Sequence, residues 1–317
     1  MTTIRTGTSF SPRRCARFGL AVEPAFRAVV DLGFDLVRLS AYWDGIDRDG
    51  FAELDGLLDV AAAARRSVVL TVGMKAIQWP EFYLPAGVAP AADRSGRIES
   101  EPAFAASVIR FVSDVVRRYR DRAAIAAWQV ENEPFNRSGP QRWWIDPQLV
   151  RREMAAVREL DSRPIVLNAF SHFSARLDAS SRPRVGPFGW RRLVAEQEIL
   201  QLLGPQDVLG LDVYTSIGLT RADPDWADRA ARWLRSARGR GNDPWIIEAQ
   251  AEPWEESGET WTRPVSFAPE DMAAVYERLV AAGYSTILLW GCEYWLWRAS
   301  ANDGRWVDVA RRIVRGG

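Results

Sequence analysis

The sequence is poor in the side chains on which many enzymes depend. Its 317 residues include one histidine (His172), one lysine (Lys75) and two cysteines (Cys15 and Cys292). A zinc centre takes three or four ligands, mostly His and Cys. A Ser-His-Asp triad would need His172, and Schiff-base or pyridoxal chemistry would need Lys75. Because 41 residues are Asp or Glu, we expect carboxylate chemistry without a metal or a cofactor.

Charge and hydropathy exclude further classes of protein. The 41 basic residues balance the 41 acidic ones, and the two kinds are interspersed, which argues against nucleic acid as a partner. No apolar run approaches the ~18 residues that suggest a membrane helix. The N-terminus, MTTIRTGTSF, lacks the apolar stretch of a signal peptide. We therefore expect a cytoplasmic protein with reduced cysteines, and a secreted one only if a leader has been removed.

Short β-rich runs alternate with helical stretches along the whole chain. The helical stretches carry apolar residues at a helical spacing, and several strands are continuous apolar runs, which is typical of parallel sheets buried on both faces. The expected strands are Thr6–Phe10, Leu36–Ser40, Ser67–Val72, the IAAWQVENE segment, Pro164–Phe170, Asp207–Tyr214, Pro244–Gln250 and Ser285–Gly291.

Eight strand–helix units leave no residue for a second domain. The sequence therefore predicts an α/β protein, a single-domain (β/α)8 TIM barrel over residues 1–317. The alternative is a doubly wound sheet, which normally carries a Gly-rich phosphate loop after its first strand. Here that loop reads SFSPRRCARFG and has no such pattern.

The ends of the strands are rich in carboxylates and aromatic rings. Barrel active sites lie at these carboxyl ends. A sugar ring presents hydroxyl groups at its edge and C–H groups on its faces; carboxylates and amides bind the first, and indole rings stack on the second. Packing in the core explains tryptophans inside elements, such as Trp128, Trp226 and Trp233, but it explains the cluster at the strand ends poorly.

Two strand ends carry the strongest signals. The fourth reads WQVENEPF and the seventh reads WIIEAQAEPW, so Glu133 and Glu248 close two apolar strands. A carboxylate there is costly unless it is paired or hydrogen-bonded, which favours a functional role. Pro134 predicts an extended conformation for Glu133. The fourth and seventh strands are well separated around the ring, so a sugar could lie between the two carboxylates.

These features resemble the clan A glycoside hydrolases, the retaining β-glycosidases built on (β/α)8 barrels. The similarity covers the whole chain: VRL at strand 2, Asn-Glu-Pro after strand 4, and Tyr, Glu and Trp after strands 6, 7 and 8. The resemblance implies that Glu133 is the general acid/base and Glu248 the nucleophile. It also implies that Asn132 binds the sugar 2-hydroxyl, that Tyr214 and Arg38 contact the nucleophile, and that Trp290 lies under the reacting sugar.

The other candidate substrate-binding residues are more weakly supported. They lie at the remaining strand ends: Trp43, Lys75, Trp79, Asn168, His172, Asp212, Gln250 and Glu293. Lys75 could equally be a solvated lysine, and Glu293 could anchor an arginine instead of a sugar. Glu81 and Glu252 are rival carboxylates that better fit hydroxyl contacts or loop salt bridges. Glu131 is expected to be a buried structural carboxylate paired with an arginine, and the resemblance predicts a cis peptide bond between Trp290 and Gly291.

The sequence also departs from the cellulases and mannanases of glycoside hydrolase family 5. These usually have His after strand 3 and His-x-Tyr after strand 6, whereas here the first is absent and the second reads Asp212-Val213-Tyr214. The resemblance thus implies a retaining hydrolase of an oligosaccharide, a β-glucoside, β-mannoside or β-galactoside, without naming one family. The alternatives are a carbohydrate-binding barrel without turnover and a transglycosylase that uses the same two carboxylates. The sequence assigns no oligomeric state.

Overall fold

A computed structural model describes residues 3–171, 173–174, 181–185, 191–255 and 261–316 of the chain. In this part, eight parallel strands pair in sequence order and close into a barrel through the first and the last. The predicted (β/α)8 TIM barrel is confirmed. The barrel strands are β1 Arg5–Ser9, β2 Leu36–Ser40, β3 Ser67–Val72, β4 Ile125–Val130, β5 Ile165–Ser171, β6 Val208–Val213, β7 Asp243–Gln250 and β8 Thr286–Trp290.

Helices surround the barrel. They are α1 Pro12–Phe18, α2 Val22–Asp31, α3 Trp43–Asp49, α4 Ala52–Ala63, α5 Pro102–Tyr119, α6 Pro147–Leu160, α7 Ala195–Leu202, α8 Trp226–Arg238, α9 Pro269–Ala281, α10 Cys292–Ser300 and α11 Arg305–Gly316. Three small two-stranded sheets lie outside the barrel: Arg97–Ile98 with Trp144–Ile145, Arg184–Val185 with Arg191–Arg192, and Ser216–Ile217 with Thr220–Arg221. Among the described helices, none has the length and apolar character needed to cross a bilayer.

Two apolar layers hold the barrel together. Side chains that point inward fill its interior, and those that point outward pack against the helices. The interior set has eight residues from seven strands, two of them from β7: Leu36, Val69, Ala127, Val166, Val208, Trp245, Ile247 and Leu288. Gly210 interrupts the inner surface of β6, because a Cβ there would lie 2.7 Å from the Cβ of Asn168 on β5. The missing side chain leaves room for that asparagine.

Glu131, just beyond β4, connects this strand to the segment that follows β3. Its fully buried carboxylate accepts hydrogen bonds from the backbone N–H groups of Met74 and Lys75, at 2.9 and 2.6 Å, and the buried carboxyl group of Glu153 on α6 lies beside it. The carboxylate is buried and structural, as expected, but the expected arginine partner is wrong. Backbone donors at the end of β3 and a second carboxyl group take that place.

Two buried carboxyl groups side by side cannot both be ionised without strong repulsion. Burial raises the pKa of Glu131 to about 7, against the opposing effect of its two backbone donors. Burial, followed by the charge of Glu131, raises the pKa of Glu153 well above its usual range. Glu153, whose carboxyl oxygens receive no donor from the described residues, is therefore the one expected to keep a proton.

We expect Glu153→Gln to flatten the dependence of stability on pH. Groups whose pKa is raised by folding bind protons more tightly in the folded state, so the protein loses stability as pH rises from the ordinary glutamate range towards about 7 and above. A glutamine fills the same space and has no proton to lose. At pH 8 the variant should exceed the wild type in free energy of unfolding by about 1–3 kcal/mol.

Urea unfolding at pH 5 and pH 8 measures this difference. Glu159→Gln, on the exposed side of the same helix, is the matched control and should follow the wild type. A Glu153→Gln profile parallel to that of the wild type would show that Glu153 holds no proton of its own.

Candidate active site

Glu248 lies near the end of β7, next to an irregularity in the strand pairing. It pairs with Asp212 of β6 at a point where the register between β6 and β7 shifts. Such bulges turn side chains out of the regular alternation of a strand. The buried Glu248 carboxylate accepts a hydrogen bond from Arg38 Nη1 at 2.5 Å and another from the hydroxyl of Tyr214 at 2.6 Å. A cation and a phenol thus hold its two oxygens in place.

Glu133 follows β4, and its backbone departs from the expected conformation. Its φ is 46°, in the left-handed region, so the extended conformation predicted from Pro134 is wrong. For a non-glycine residue this conformation costs about 1–3 kcal/mol and persists only where the surroundings enforce it. Here the backbone N–H of Glu133 donates to Asn168 Oδ1 at 2.8 Å, and Lys75 Nζ donates to its carbonyl oxygen at 2.7 Å. Both contacts fix the turn.

The surroundings of Glu133 oppose its ionisation. The residue is 8% exposed, and its carboxyl group lies 3.9 Å from Lys75 Nζ, whose closer carboxylate partner is Glu81 at 3.2 Å. Burial raises the pKa of Glu133 to about 8; Lys75 lowers it, while the charges of Glu81 and Glu248 raise it further. Near neutral pH, Glu133 is therefore a carboxylic acid that can give up a proton.

Glu133, Asp212 and Glu248 form one compact cluster. One carboxyl oxygen from each lies within 4.8 Å of the others, and all three residues are buried. Oxygen ligands at this spacing could hold a divalent cation. However, Arg38 and Tyr214 engage both oxygens of Glu248, and these donors fit a hydrogen-bonded cluster of acids better than an oxygen cage around a metal.

Asn168 organises the cluster from beneath. It is fully buried, it accepts from Glu133 N–H and from Gln129, and it donates to Asn132 Oδ1 at 3.0 Å and to Asp212 Oδ2 at 2.6 Å. Its amide has no capacity left for a substrate. The oxygen of Asn132 also accepts from Arg38, so the Asn132 amide N–H groups remain available to the cavity that this residue lines.

The cluster opens into a cavity of about 630 Å³. Tyr214 and Trp290 lie in its wall; Trp290 is almost fully buried and donates its indole N–H to Glu252 at 3.0 Å. Trp79 and Trp254 also line the cavity, but they are 58% and 42% exposed. The cavity therefore combines a buried indole beside the carboxylates with two exposed indoles at its rim.

A buried ionic network forms another part of the wall, and its central residue was missed in the sequence. Arg14 of α1 binds Glu252, donates to Gln78 at 3.0 Å and lies 3.5 Å from Glu293. Burial raises the pKa of Glu252 to about 7, against the opposing charge of Arg14. Glu293 thus anchors an arginine, the second of its two expected roles.

A signal for Arg14 was present in the sequence. The segment after β1 was interpreted as a loop, whereas residues 12–18 form a helix. Ser11 caps it by accepting from the N–H of Arg14, Pro12 opens it, and Gly19 follows it with a positive φ. Serine followed by proline, with glycine one short helix later, is the pattern of a capped helix.

The predicted site residues divide into those that line the cavity and those that support it. Six line it: Trp79, Asn132, Glu133, Tyr214, Glu248 and Trp290. Six others are buried in the supporting wall: Arg38, Lys75, Asn168, Asp212, Gln250 and Glu293. Gln250, for example, accepts from Thr215 and Ser216 N–H and so holds the segment after β6. Arg38 contacts Glu248, as predicted, and none of the six is among the residues that line the cavity.

Trp43 is not brought to the site. Its ring stacks on Phe111 of α5 at 4.9 Å inside the core, because Trp43 begins a helix that packs against the barrel. His172 lies outside the described residues.

The predicted cis bond at Trp290–Gly291 is wrong. In the described chain the cis bond joins Trp79 and Pro80, and the chain turns instead at Gly291, whose φ of 125° suits glycine.

Comparison with known proteins places the chain by its fold. No family model matches the sequence, and no curated protein matches it. A catalytic mutant of Gan42B, a GH42 β-galactosidase from G. stearothermophilus, has a TM-score of 0.67 at 12% identity over 100% of this chain and 56% of that one. The exo-β-1,4-mannosidase Op5Man5 from Opitutaceae bacterium strain TAV5 gives 0.61 at 16% identity, over 98% and 60%.

A third match is closer in length. The intracellular xylanase TsXylA from Thermoanaerobacterium saccharolyticum JW/SL-YS485 has a TM-score of 0.56 at 14% identity, over 92% of this chain and 86% of that one. The chain spans only about three fifths of the β-galactosidase and mannosidase chains. All three neighbours are glycosidases by name, as the resemblance at the strand ends leads us to expect. At these identities, the likeness shows that this chain has the barrel fold of those enzymes.

Proposed function

We propose that the protein is a retaining β-glycoside hydrolase with Glu133 as general acid/base and Glu248 as nucleophile. One observation carries the proposal: carboxyl oxygens of the two residues lie within 4.8 Å of each other at the base of an aromatic cavity. Retaining enzymes place their two carboxyl groups about 5–5.5 Å apart, and inverting ones leave room for a water at about 6.5–9.5 Å. The short separation supports direct attack by one carboxylate.

The surroundings of the two carboxyl groups support different roles. In the first step, the proton of Glu133 passes to the glycosidic oxygen while that oxygen takes the electrons of the breaking C–O bond. A carboxylate oxygen of Glu248 forms the new bond to the anomeric carbon. Glu248 has two donors that keep it oriented as an anion, and Glu133 has the raised pKa that an acid requires.

The second step releases the sugar. Glu133, now a carboxylate, removes a proton from water, and the water oxygen bonds to the anomeric carbon as the Glu248 ester bond breaks. The amide of Asn132 can donate to a sugar hydroxyl beside the reaction centre, and Trp290 offers a ring face below it. The neighbours act on β-galactosides, β-mannosides and xylan by their names, which supports a β-linked oligosaccharide as substrate.

Replacing each catalytic carboxylate should give a distinct pattern of activity. We expect Glu248→Gln to abolish turnover of aryl β-glucosides, β-mannosides and β-galactosides. Glu133→Gln should lower kcat/KM by about 10²–10⁴-fold for poor leaving groups. It should spare dinitrophenyl glycosides, whose leaving group needs no proton.

Steady-state kinetics on both kinds of substrate measure this pattern. Glu81→Gln, which also removes a carboxylate from the cavity wall, is the control and should keep the wild-type dependence on the leaving group. No wild-type turnover across the panel would contradict the proposal and favour a carbohydrate-binding barrel.

The stereochemistry of the first product gives an independent test. Two displacements at the anomeric carbon restore its configuration, so the released sugar should appear first as the β anomer. Proton NMR during the first minutes of hydrolysis distinguishes the anomers before they equilibrate. An initial α anomer would exclude Glu248 as nucleophile, and a new glycoside formed with an added acceptor sugar would indicate a transglycosylase.

The exposed indole of Trp79 at the rim of the cavity should affect KM only for longer substrates. Trp79→Ala removes a stacking surface worth about 1 kcal/mol, so KM for a tri- or tetrasaccharide should rise by about fivefold. KM for an aryl monoglycoside should not change. Val265→Ala, an exposed apolar residue outside the cavity lining, is the control. An equal effect of Trp79→Ala on both substrates would mean that Trp79 supports the fold of the site rather than the sugar.

A further inference from the structure

Asp212 is the third member of the carboxyl cluster and has no part in the steps above. It lies at the end of β6 and is completely buried. It supports the wall from behind, so contact with a substrate does not account for it. One of its oxygens, Oδ2, accepts from Asn168 Nδ2 at 2.6 Å. The other, Oδ1, receives no N–H or hydroxyl donor from the described residues.

The remaining polar neighbour of Asp212 is the carboxyl group of Glu133. Carboxyl oxygens of the two side chains lie within 4.8 Å of each other, and both residues are buried. Two buried carboxylates at this separation repel each other, so at least one of the two carboxyl groups keeps a proton, which it can donate to the other. The question is which of the two residues holds that proton when the other is ionised.

The charges around the pair leave Asp212 without a cation. Arg38 is engaged by Glu248 and Asn132, and Lys75 by Glu81 and by the backbone of Glu133. Glu248 and Glu81 add negative charge, and Tyr214 is a neutral phenol that donates to Glu248. In the described part of the chain, Asp212 forms no ion pair.

The same surroundings raise the pKa of Asp212 well above its usual range. Burial is the largest cause, followed by the charges of Glu248 and Glu133, and Arg38 opposes them only in part. Glu133, by contrast, lies 3.9 Å from the amine of Lys75, whose charge lowers the pKa of Glu133. The carboxyl group without a cation therefore keeps the proton, and the one beside Lys75 is the acceptor.

We propose that Asp212 stays protonated and is a positioning residue for Glu133, to which it donates its carboxyl proton in a hydrogen bond; this inference rests on the proposed role of Glu133. When Glu133 gives its own proton to the leaving oxygen, the Asp212 O–H stabilises the carboxylate that remains. When Glu133 takes a proton from water, the same bond holds the base in place. The proton of Asp212 leaves in neither step.

Two substitutions at this position separate the proposal from its alternatives. Asp212→Ala removes the donor, so kcat should fall by roughly tenfold or more, and the basic limb of the pH profile should move to higher pH because Glu133 loses a bond to its ionised form. Asp212→Asn supplies a neutral donor of the same shape. It should recover most of the loss, with the basic limb within about 0.3 pH units of the wild type.

The asparagine variant carries the decisive readout. If Asp212 were ionised, Asp212→Asn would remove a negative neighbour and move the basic limb of kcat/KM to lower pH by about one unit or more. That result would overturn the inference. Equal losses of kcat in both variants, with the limb unmoved in both, would also overturn it, because they would indicate a merely structural role.

Thermal unfolding between pH 5 and pH 8 tests the proton without any substrate. If Asp212 is protonated in the folded state, the folded protein loses stability as pH rises above the ordinary aspartate range. Asp212→Asn should therefore flatten the dependence of stability on pH. Asp308→Asn, on the exposed side of α11, is the control and should follow the wild type. If the wild type is active and the Asp212→Asn profile runs parallel to that of the wild type, this inference is wrong while the proposed function stands. A wild type that hydrolyses no glycoside overturns the proposed function, and with it the role of Asp212 in the reaction.

Discussion

The whole site depends on the repulsion between buried carboxyl groups. Three buried carboxyl groups meet within 4.8 Å at the mouth of the barrel, where burial limits screening by water. They cannot all be ionised, because repulsion and burial both favour the protonated forms. The nearest cation, Arg38, is completely buried on β2 and pairs with Glu248. The other two members of the cluster are left to hold protons.

The barrel makes this division of charge possible. Each of the strands β2, β4, β5, β6 and β7 brings at least one member of the network to the same end of the barrel. Asn168 fits only because β6 has glycine at position 210, so a contact deep in the wall depends on an absent side chain. The left-handed turn at Glu133 is held by the same asparagine. Strain and rigidity at the site therefore come from one hydrogen-bonded layer.

Periodicity in the sequence predicted the fold well. The strands β2 and β3 have the predicted bounds, because continuous apolar runs leave clear patterns. The short helices α1, α3 and α10 were missed, since seven to nine residues carry too few helical turns for a periodic signal. The resemblance to clan A then supplied the roles of Glu133 and Glu248, which remain predictions that the geometry supports.

The supporting wall was harder to predict than the cavity. Trp43 looked like a ring for stacking on sugars, but a strand end is followed by a helix whose first residue packs inward, and no pattern in the sequence distinguishes the two cases. Lys75, Gln250 and Asp212 stand at strand ends as catalytic residues do, yet they turn to backbone groups and to neighbouring side chains. Arg14 reaches the site from a segment with no apolar periodicity. Tertiary contacts alone decide which way such side chains point.

Lys75 gives the folded protein an unusual chemical property. It is the one lysine of the sequence, and its amine is completely buried beneath the carboxyl group of Glu133. Reagents that acylate amines therefore meet only the α-amino group of an intact chain. Modification of the side-chain amine requires the loop after β3 to open, so its rate reports directly on local opening of the barrel mouth. A scarcity in the composition thus provides a built-in probe of how tightly this end of the protein is closed.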